Sequence, residues 1–231
     1  MTDLQKIRLS NIQIGLLFAG FLYGSSALLN PASSAMQDAW LAFLFGWVLG
    51  FLLIGIYLLI YLLNPSHTLI GILKTNFGSF FGSIIGILYT WYFLHLTALV
   101  LRDFGEFSGL VMLPNTPMLF IIACFGILCV YALKKGIEVF ARTSELLTPL
   151  IPIAFLVITF GIVGIMDFSN IQPVLINGIK PIIKSGFGVL TFPFGETIAF
   201  LMLLPLAKKK NTIMKTVFLS TFFTGSLLLM I

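Results

Sequence analysis

Charged side chains are scarce in this chain of 231 residues, and that scarcity excludes most soluble folds. Only 9% of the residues are Asp, Glu, Lys or Arg, whereas 59% are hydrophobic. Soluble domains contain about 25% charged residues. The mean hydropathy of +1.09 points the same way. The composition therefore predicts a protein that crosses a membrane several times.

Cysteine and histidine are also rare, and their rarity argues against several kinds of chemistry. Cys124 and Cys129 share one apolar stretch and lack the spacing of metal ligands, and the chain has two histidines. Such cysteines are typical of buried thiols and do not form a disulfide framework. The phosphate-binding loops and zinc-protease motifs of soluble enzymes are missing from the sequence. We expect no enzyme activity, no metal site and no cofactor.

Seven apolar stretches approach the ~20 residues that a helix needs to cross a bilayer. The first is longer than the apolar part of a signal peptide, which has ~7–15 residues, so we expect it to be retained. We expect an all-α polytopic transmembrane helix bundle that forms a single domain over residues 1–231. We also expect the seventh span to be partial and the chain to be truncated at its C-terminus. The stretches cover residues 11–31, 39–63, 81–101, 118–133, 146–166, 186–207 and 213–231.

The basic residues predict the orientation of the chain in the membrane. If each stretch crosses once, ten of the thirteen Lys and Arg residues lie on the side of the N-terminus. Basic residues concentrate in cytoplasmic loops, so we expect a cytoplasmic N-terminus. Residues 134–142 and 208–215 are then cytoplasmic, and residues 167–185 lie outside. The net charge of +5 is thus assigned to loops that face the lipid bilayer, and not to a nucleic-acid surface.

A carboxylate lies in the middle of the sixth apolar stretch, in the sequence Phe192-Pro-Phe-Gly-Glu196. Pro193 lacks a backbone donor and Gly195 permits conformations that other residues avoid, so the helix is expected to open here. A carboxylate in hydrocarbon costs at least ~2.5 kcal/mol and indicates a functional site. Interrupted helices with a charge at the interruption are typical of the substrate sites of secondary transporters.

The first stretch has an interruption of its own in the segment from Gly20 to Ser26. Its small residues can pack against a neighbouring helix, or they can mark an unwound segment whose backbone groups bind a ligand. The interruption at a corresponding depth in the sixth stretch favours the second interpretation, because paired interruptions point to a midplane site.

The predicted site combines both interruptions and has no catalytic or metal-binding members. The half-helix after the first interruption would offer free amides to an anion such as a substrate carboxylate. Glu196 would accept a hydrogen bond from an ammonium group or transfer a proton; the alternative is that it only caps the second half-helix. The predicted ligand-binding residues are Gly20, Tyr23, Gly24, Ser25, Ser26, Phe192, Phe194, Gly195 and Glu196.

The order and spacing of several short motifs give the whole chain a family resemblance. The motifs are the glycine of the first stretch followed by Pro31, then Asp38-Ala-Trp40, Asn115-Thr-Pro117, Arg142-Thr-Ser-Glu145, Gln172-Pro173-Val-Leu, Phe192-Pro-Phe-Gly-Glu196, Leu204-Pro205 and Lys208-Lys-Lys210. With them the chain resembles the spore germination permease family, the GerAB-type B subunits of nutrient germinant receptors. That family belongs to the amino acid–polyamine–organocation superfamily.

The resemblance implies a LeuT-like architecture of two inverted five-helix repeats, of which this chain covers the first and the start of the second. It implies a spore inner-membrane protein that binds a small nutrient germinant, such as an amino acid, and has no catalytic activity. The implied partners are the A- and C-type germinant receptor subunits.

Three functions remain open at this point. The first is a germinant sensor, in which ligand binding shifts the population of bundle conformations. The second is an amino acid transporter coupled to protons or Na⁺, and the third is a small structural membrane subunit. Uptake into proteoliposomes separates the first two, and the third predicts no ligand binding.

Overall fold

The computed structural model describes residues 8–24, 26, 29–167, 169 and 172–230, and among these residues it contains no β-strand. The predicted all-α fold is therefore confirmed. The α-helices are α1 (Asn11–Tyr23), α2 (Ala39–Leu63), α3 (Leu69–Val111), α4 (Met118–Lys134), α5 (Ile137–Leu147), α6 (Leu150–Ile162), α7 (Ile179–Val189) and α8 (Lys210–Leu228). Shorter 3-10 segments cover Pro31–Asp38, Val163–Ile165, Gly195–Met202 and Leu204–Leu206.

Four helical stretches in the described part of the chain are long and apolar enough to cross a membrane. The helices α1 and α4 are apolar but shorter. The protein is thus a polytopic helical membrane protein, while the seven separate spans remain a prediction. The four stretches are Pro31–Leu63, Leu69–Val111, Ile137–Ile165 and Ile179–Met202.

The chain forms two compact units. The first comprises residues 1–65 and 143–231, and the second comprises residues 66–142. All residues of the predicted site belong to the first unit. The single transmembrane domain stays a prediction.

Close backbone contacts hold α2 against α7 in the first unit. A Cβ atom on Gly46 would lie 2.5 Å from the carbonyl oxygen of Gly186 and 2.5 Å from the Cβ of Val189. A Cβ on Gly225 of α8 would lie 2.2 Å from Nε1 of Trp47. These glycines allow α7 and α8 to approach α2 at distances that side chains would prevent.

The start of α1 is bound to the segment that precedes α8 by a short parallel backbone bridge. The Leu9 amide donates to the Leu206 carbonyl and the Lys208 amide donates to the Leu9 carbonyl, each at 2.9 Å. The Asn11 side chain donates to the Lys209 carbonyl at 2.8 Å and accepts from the Lys209 amide at 3.2 Å. Residues far apart in sequence are thus joined through their backbones.

A buried carboxylate just before α2 binds the connection that leads to α7. Asp38 is only 1% exposed, and its Oδ1 accepts from the Leu175 amide at 3.0 Å. Although Asp38 precedes α2, its side chain makes no capping hydrogen bond to that helix. Asp38 therefore fixes a distant loop instead of capping its own helix.

In the second unit, α3 bends back on itself at Gly78, where φ is +77° and ψ is 167°. A Cβ on Gly82 would lie 2.6 Å from the Cα of Lys74, so glycine is required where the two arms of α3 meet.

The lone ion pair among the described residues joins Arg102 to Glu106 at 2.7 Å on the surface of α3.

Candidate binding site

The helical run that begins with α7 is interrupted in the middle of its apolar sequence. Leu190–Phe194 form a wider π-type turn, and within it Phe192 has an extended backbone with φ −130° and ψ 116°. Pro193 follows and has no backbone donor, so it cannot restore the α-helical hydrogen bond. The chain then continues as the 3-10 segment Gly195–Met202. The interruption thus lies within the predicted segment Phe192–Glu196.

Gly195 does not cause this interruption, although its conformational freedom was one of the two expected reasons, beside Pro193. Its φ and ψ are −61° and −35°, which is ordinary helical geometry. The extended residue is Phe192, which precedes a proline, and residues before proline favour extended conformations. The steric effect of Pro193 on its neighbour therefore explains the interruption.

Side-chain hydroxyls bind carbonyl groups around the interruption. The Tyr57 hydroxyl on α2 donates to the Gly195 carbonyl at 3.1 Å. Thr197 donates to the Phe194 carbonyl at 2.6 Å, and Thr191 donates to the Gly188 carbonyl at 2.8 Å. These bonds stabilise a backbone that lacks the regular helical pattern.

The Glu196 carboxylate follows the interruption in the first turn of the 3-10 segment, and the residue is half-buried. Among the described residues it has neither a hydrogen-bond partner nor an ion-pair partner, and the 3-10 segment has no side-chain cap. A carboxylate in this setting can accept hydrogen bonds from a cation or take up a proton. The absence of a capping bond in the described structure weakens the alternative in which Glu196 is only a cap.

The other predicted interruption is the point where α1 ends. Gly24 has φ −25° and ψ −109°, and its amide donates to the Gly20 carbonyl at 3.0 Å. The hydroxyl of Ser26 donates to the Leu22 carbonyl, and Ser25 lies outside the described residues. The described residues after Tyr23, up to and including Asn30, form no α-helix.

A half-helix with free amides was predicted after this interruption, and the described residues do not show one. The next element is the 3-10 segment Pro31–Asp38, whose Ala32 amide donates to the Asn30 side chain at 3.0 Å. Pro31 itself has no amide donor. At the start of this segment, Pro31 therefore has no amide to offer a ligand, and the Ala32 amide already has an acceptor within the protein.

Two aromatic contacts bring the predicted halves of the site together. The Phe200 ring in the 3-10 segment lies 4.8 Å from the Phe18 ring and 5.5 Å from the Phe21 ring, measured between centroids. Both contacts are edge-to-face, a favoured arrangement of aromatic rings. The first unit thus packs α1 against the segment that contains Glu196.

The predicted site residues do not all face the same space. The Phe194 side chain is fully buried against α2, because a Cβ on Gly50 would lie 2.5 Å from its Cγ. Gly20 faces Thr148, whose Oγ1 would lie 3.0 Å from a Cβ on that glycine. Tyr23 is buried, with its ring 6.2 Å from that of Phe155. Phe194 thus belongs to the packing of α2, while Gly20 faces the connection between α5 and α6, and Tyr23 faces α6.

Sequence reasoning missed the aromatic residues that join these elements. Tyr57 and Phe200 follow no motif, and the chain contains 24 phenylalanines and 6 tyrosines. With so many aromatic residues in apolar stretches, no local pattern singles out the ones that contact the interruption.

These features define a class, the polytopic α-helical membrane proteins with an interrupted span and an unpaired carboxylate beside the interruption. The chain belongs to the spore germination protein family, whose family model matches residues 8–231. The resemblance inferred from the motifs is thereby confirmed.

Three curated relatives from Bacillus subtilis (strain 168) illustrate the similarity. Spore germination protein KB is 34% identical over 218 residues, which cover 92% of this chain and 58% of that protein. Spore germination protein YndE is 27% identical over 220 residues, covering 93% of this chain and 60% of that protein. Spore germination protein A2 is 30% identical over 201 residues, covering 85% of this chain and 53% of that protein.

The chain thus spans between 53% and 60% of the length of these relatives. No solved structure matches it significantly. The LeuT-like arrangement of repeats therefore stays a prediction.

Proposed function

We propose that this protein binds a small polar solute, such as an amino acid, beside Glu196, and that this binding triggers spore germination. The names of the relatives, spore germination proteins KB and A2, support a role in germination. The observation that supports the site is the half-buried Glu196, which has no partner in the described structure and lies in an apolar span. An ammonium group on the solute would supply the missing partner.

The setting of this function is part of the same proposal. The protein lies in the spore inner membrane with a cytoplasmic N-terminus, and it acts with A- and C-type germinant receptor subunits. It performs no catalysis, since its proposed task is to bind a solute and change conformation. The charge distribution supports the orientation, because ten of thirteen basic residues fall on one side of the predicted topology.

The test compares Glu196→Gln with Glu145→Gln, which removes an exposed carboxylate of the same unit. The purified chain in lipid nanodiscs is incubated with a panel of radiolabelled amino acids and simple sugars. Hydrogen bonds to charged groups contribute about 1.5–3 kcal/mol, so Glu196→Gln should weaken binding about 10- to 150-fold. The Glu145→Gln variant should bind like the wild type.

Two results would contradict the proposal. One is an affinity of Glu196→Gln within twofold of the wild type, and the other is no binding of any member of the panel. If Glu196 serves only as a helix cap, Gln lowers stability by about 0.3–1 kcal/mol and leaves the site unaffected.

The alternative function is proton- or Na⁺-coupled amino acid transport, which the same unpaired carboxylate would serve. Uptake of radiolabelled solute into proteoliposomes that contain the purified chain distinguishes a sensor from a transporter. A sensor binds the radiolabelled solute without accumulating it, whereas a transporter accumulates it in response to an imposed ion gradient.

A further inference from the structure

A large groove lies in the first unit between α1, α6 and α8. Its volume is about 490 Å³, within the range of roughly 300–1,000 Å³ that is typical of small-molecule sites. Tyr23 of the predicted site lines this groove, but none of the residues Phe192–Glu196 does, so the groove does not contain the carboxylate beside which the solute is proposed to bind. Its apolar walls include Leu16, Ala19, Pro149, Pro152, Leu219 and Phe223.

Two hydroxyl groups of the groove are occupied within the protein. The Ser220 hydroxyl donates to the Gly15 carbonyl at 3.0 Å, and the Thr216 hydroxyl donates to the Thr212 carbonyl at 3.2 Å. The Thr224 hydroxyl is buried and has no hydrogen-bond partner in the described structure. Because most of its lining residues are apolar, the groove presents mainly hydrocarbon to an occupant.

The groove is open on the surface of the helices. Leu219 is 53% exposed and Phe223 is 64% exposed, although both line it. If α8 crosses the membrane with these side chains towards lipid, an acyl chain can enter the groove from the side without crossing a polar barrier.

Basic residues lie close in sequence to one end of the groove. Ile12 and Thr216 line this end, and the bonds from Asn11 to Lys209 and Thr212 fix α1 against the start of α8 there. Four of the basic residues within eight positions of Ile12 or Thr216 form a group; all four are exposed, and none forms an ion pair among the described residues. We call this group the basic end; it consists of Arg8, Lys208, Lys209 and Lys215.

From the apolar groove and its unpaired basic end, we infer that the groove binds one anionic phospholipid of the surrounding bilayer. The acyl chain occupies the space beside Ala19, and the phosphate lies at the basic end. Juxtamembrane basic residues attract anionic headgroups, and each contributes about a fivefold increase in affinity.

The test uses the full chain in nanodiscs of equal amounts of phosphatidylcholine and phosphatidylglycerol. Either lipid carries a photoreactive group on its acyl chain, and mass spectrometry locates the crosslinked residues. Two sets of variants are compared with the wild type. Lys209→Gln with Lys215→Gln removes charge from the basic end, while Lys184→Gln removes an exposed lysine from α7. Ala19→Phe fills the groove, while Val48→Phe adds volume on the exposed side of α2.

In the wild type, phosphatidylglycerol should label Leu16, Ala19 or Leu219 at least about fivefold more than phosphatidylcholine. The double lysine variant should lose this preference and the Lys184→Gln variant should keep it. Ala19→Phe should reduce labelling of the groove by both lipids, whereas Val48→Phe should not. The lysine variants concern exposed side chains, so they remain informative if Ala19→Phe fails to fold.

Three results would overturn the inference. The first is equal labelling by the two lipids in the wild type, and the second is labelling of exposed α2 residues as strong as that of the groove. The third is a crosslink from the groove to another polypeptide in place of lipid, which would make the groove a protein interface.

Discussion

Two tyrosines one turn apart on α2 offer a sharp test of the backbone contacts at the interruption. The Tyr57 hydroxyl donates to the Gly195 carbonyl at 3.1 Å. The Tyr61 side chain is fully buried, and its hydroxyl has no hydrogen-bond partner in the described structure. The substitution of Tyr by Phe removes the same atom in both cases, so the two variants compare a hydroxyl that has a hydrogen bond with a buried hydroxyl that has none in the described structure.

The expected changes in stability have opposite signs. Tyr57→Phe removes a hydrogen bond worth about 0.5–1.5 kcal/mol and leaves the Gly195 carbonyl without that donor. Tyr61→Phe removes a buried hydroxyl whose desolvation costs about 1–3 kcal/mol without compensation. We therefore expect Tyr57→Phe to be less stable than the wild type and Tyr61→Phe to be equally or more stable.

Thermal unfolding of the purified chain in detergent, followed by circular dichroism, measures the difference. In a chain of this size, 1 kcal/mol corresponds to about 2–4 °C in Tm. The two variants should therefore differ by at least about 1–2 °C, with Tyr57→Phe the lower. Equal Tm values would refute the assignment of the hydrogen bond, and a lower Tm for Tyr61→Phe would show that its hydroxyl has a partner.

The remaining predictions concern packing, the loop bound by Asp38, and orientation. Gly46→Ala should destabilise the protein by about 1–3 kcal/mol because its Cβ would lie 2.5 Å from two atoms of α7. Gly55→Ala on the same helix, where the nearest atom to the added Cβ is 3.8 Å away, should be neutral or stabilise by up to about 1 kcal/mol. A similar Tm for the Gly46→Ala and Gly55→Ala variants would contradict the close approach of α2 and α7. Asp38→Ala should cost about 1.5–3 kcal/mol, whereas Asp38→Asn keeps an acceptor and should cost less, so equal losses in thermal unfolding would argue against the hydrogen bond. In a chain without its native cysteines, an impermeant thiol reagent on intact cells should label a cysteine at Asn177 and not one at Lys209; the reverse pattern would invert the proposed orientation.

The helices that sequence predicted best are those whose ends are marked by proline or polar residues. The second predicted span, residues 39–63, coincides with α2. The fourth, residues 118–133, differs from α4 by one residue. A proline precedes α4 and polar residues flank α2, so the limits of both apolar runs are visible locally.

The bend in α3 depended on contacts that sequence does not show. The third predicted span covered residues 81–101, but α3 runs from Leu69 to Val111 through a turn at Gly78. The first predicted span covered residues 11–31 with an interruption between Gly20 and Ser26, and α1 ends within that interruption at Tyr23. Apolar runs give the residues available to a helix, and tertiary packing decides where the helix stops.

For the candidate site, sequence located the interruption but not its partners. The dipeptide Phe192-Pro193 has a local steric cause, so its effect was predictable. The hydroxyl of Tyr57 reaches Gly195 across 138 positions of sequence, and no motif of α2 indicates that contact. The burial of Phe194 against Gly50 likewise depends on the distance between two helices.

The backbone bridge at Leu9 has a mechanical consequence for the whole site. It joins the start of α1 to the end of the segment that follows the interruption, so these two elements cannot slide past each other along their axes. Rotation about the bridge is a relative motion that the bridge itself permits. With a rise of ~1.5 Å per residue, a tilt of about 10° displaces the Tyr23 end of α1 by about 3 Å. Displacement of α1 in such a tilt therefore increases from the end beside the bridge to the end at Tyr23.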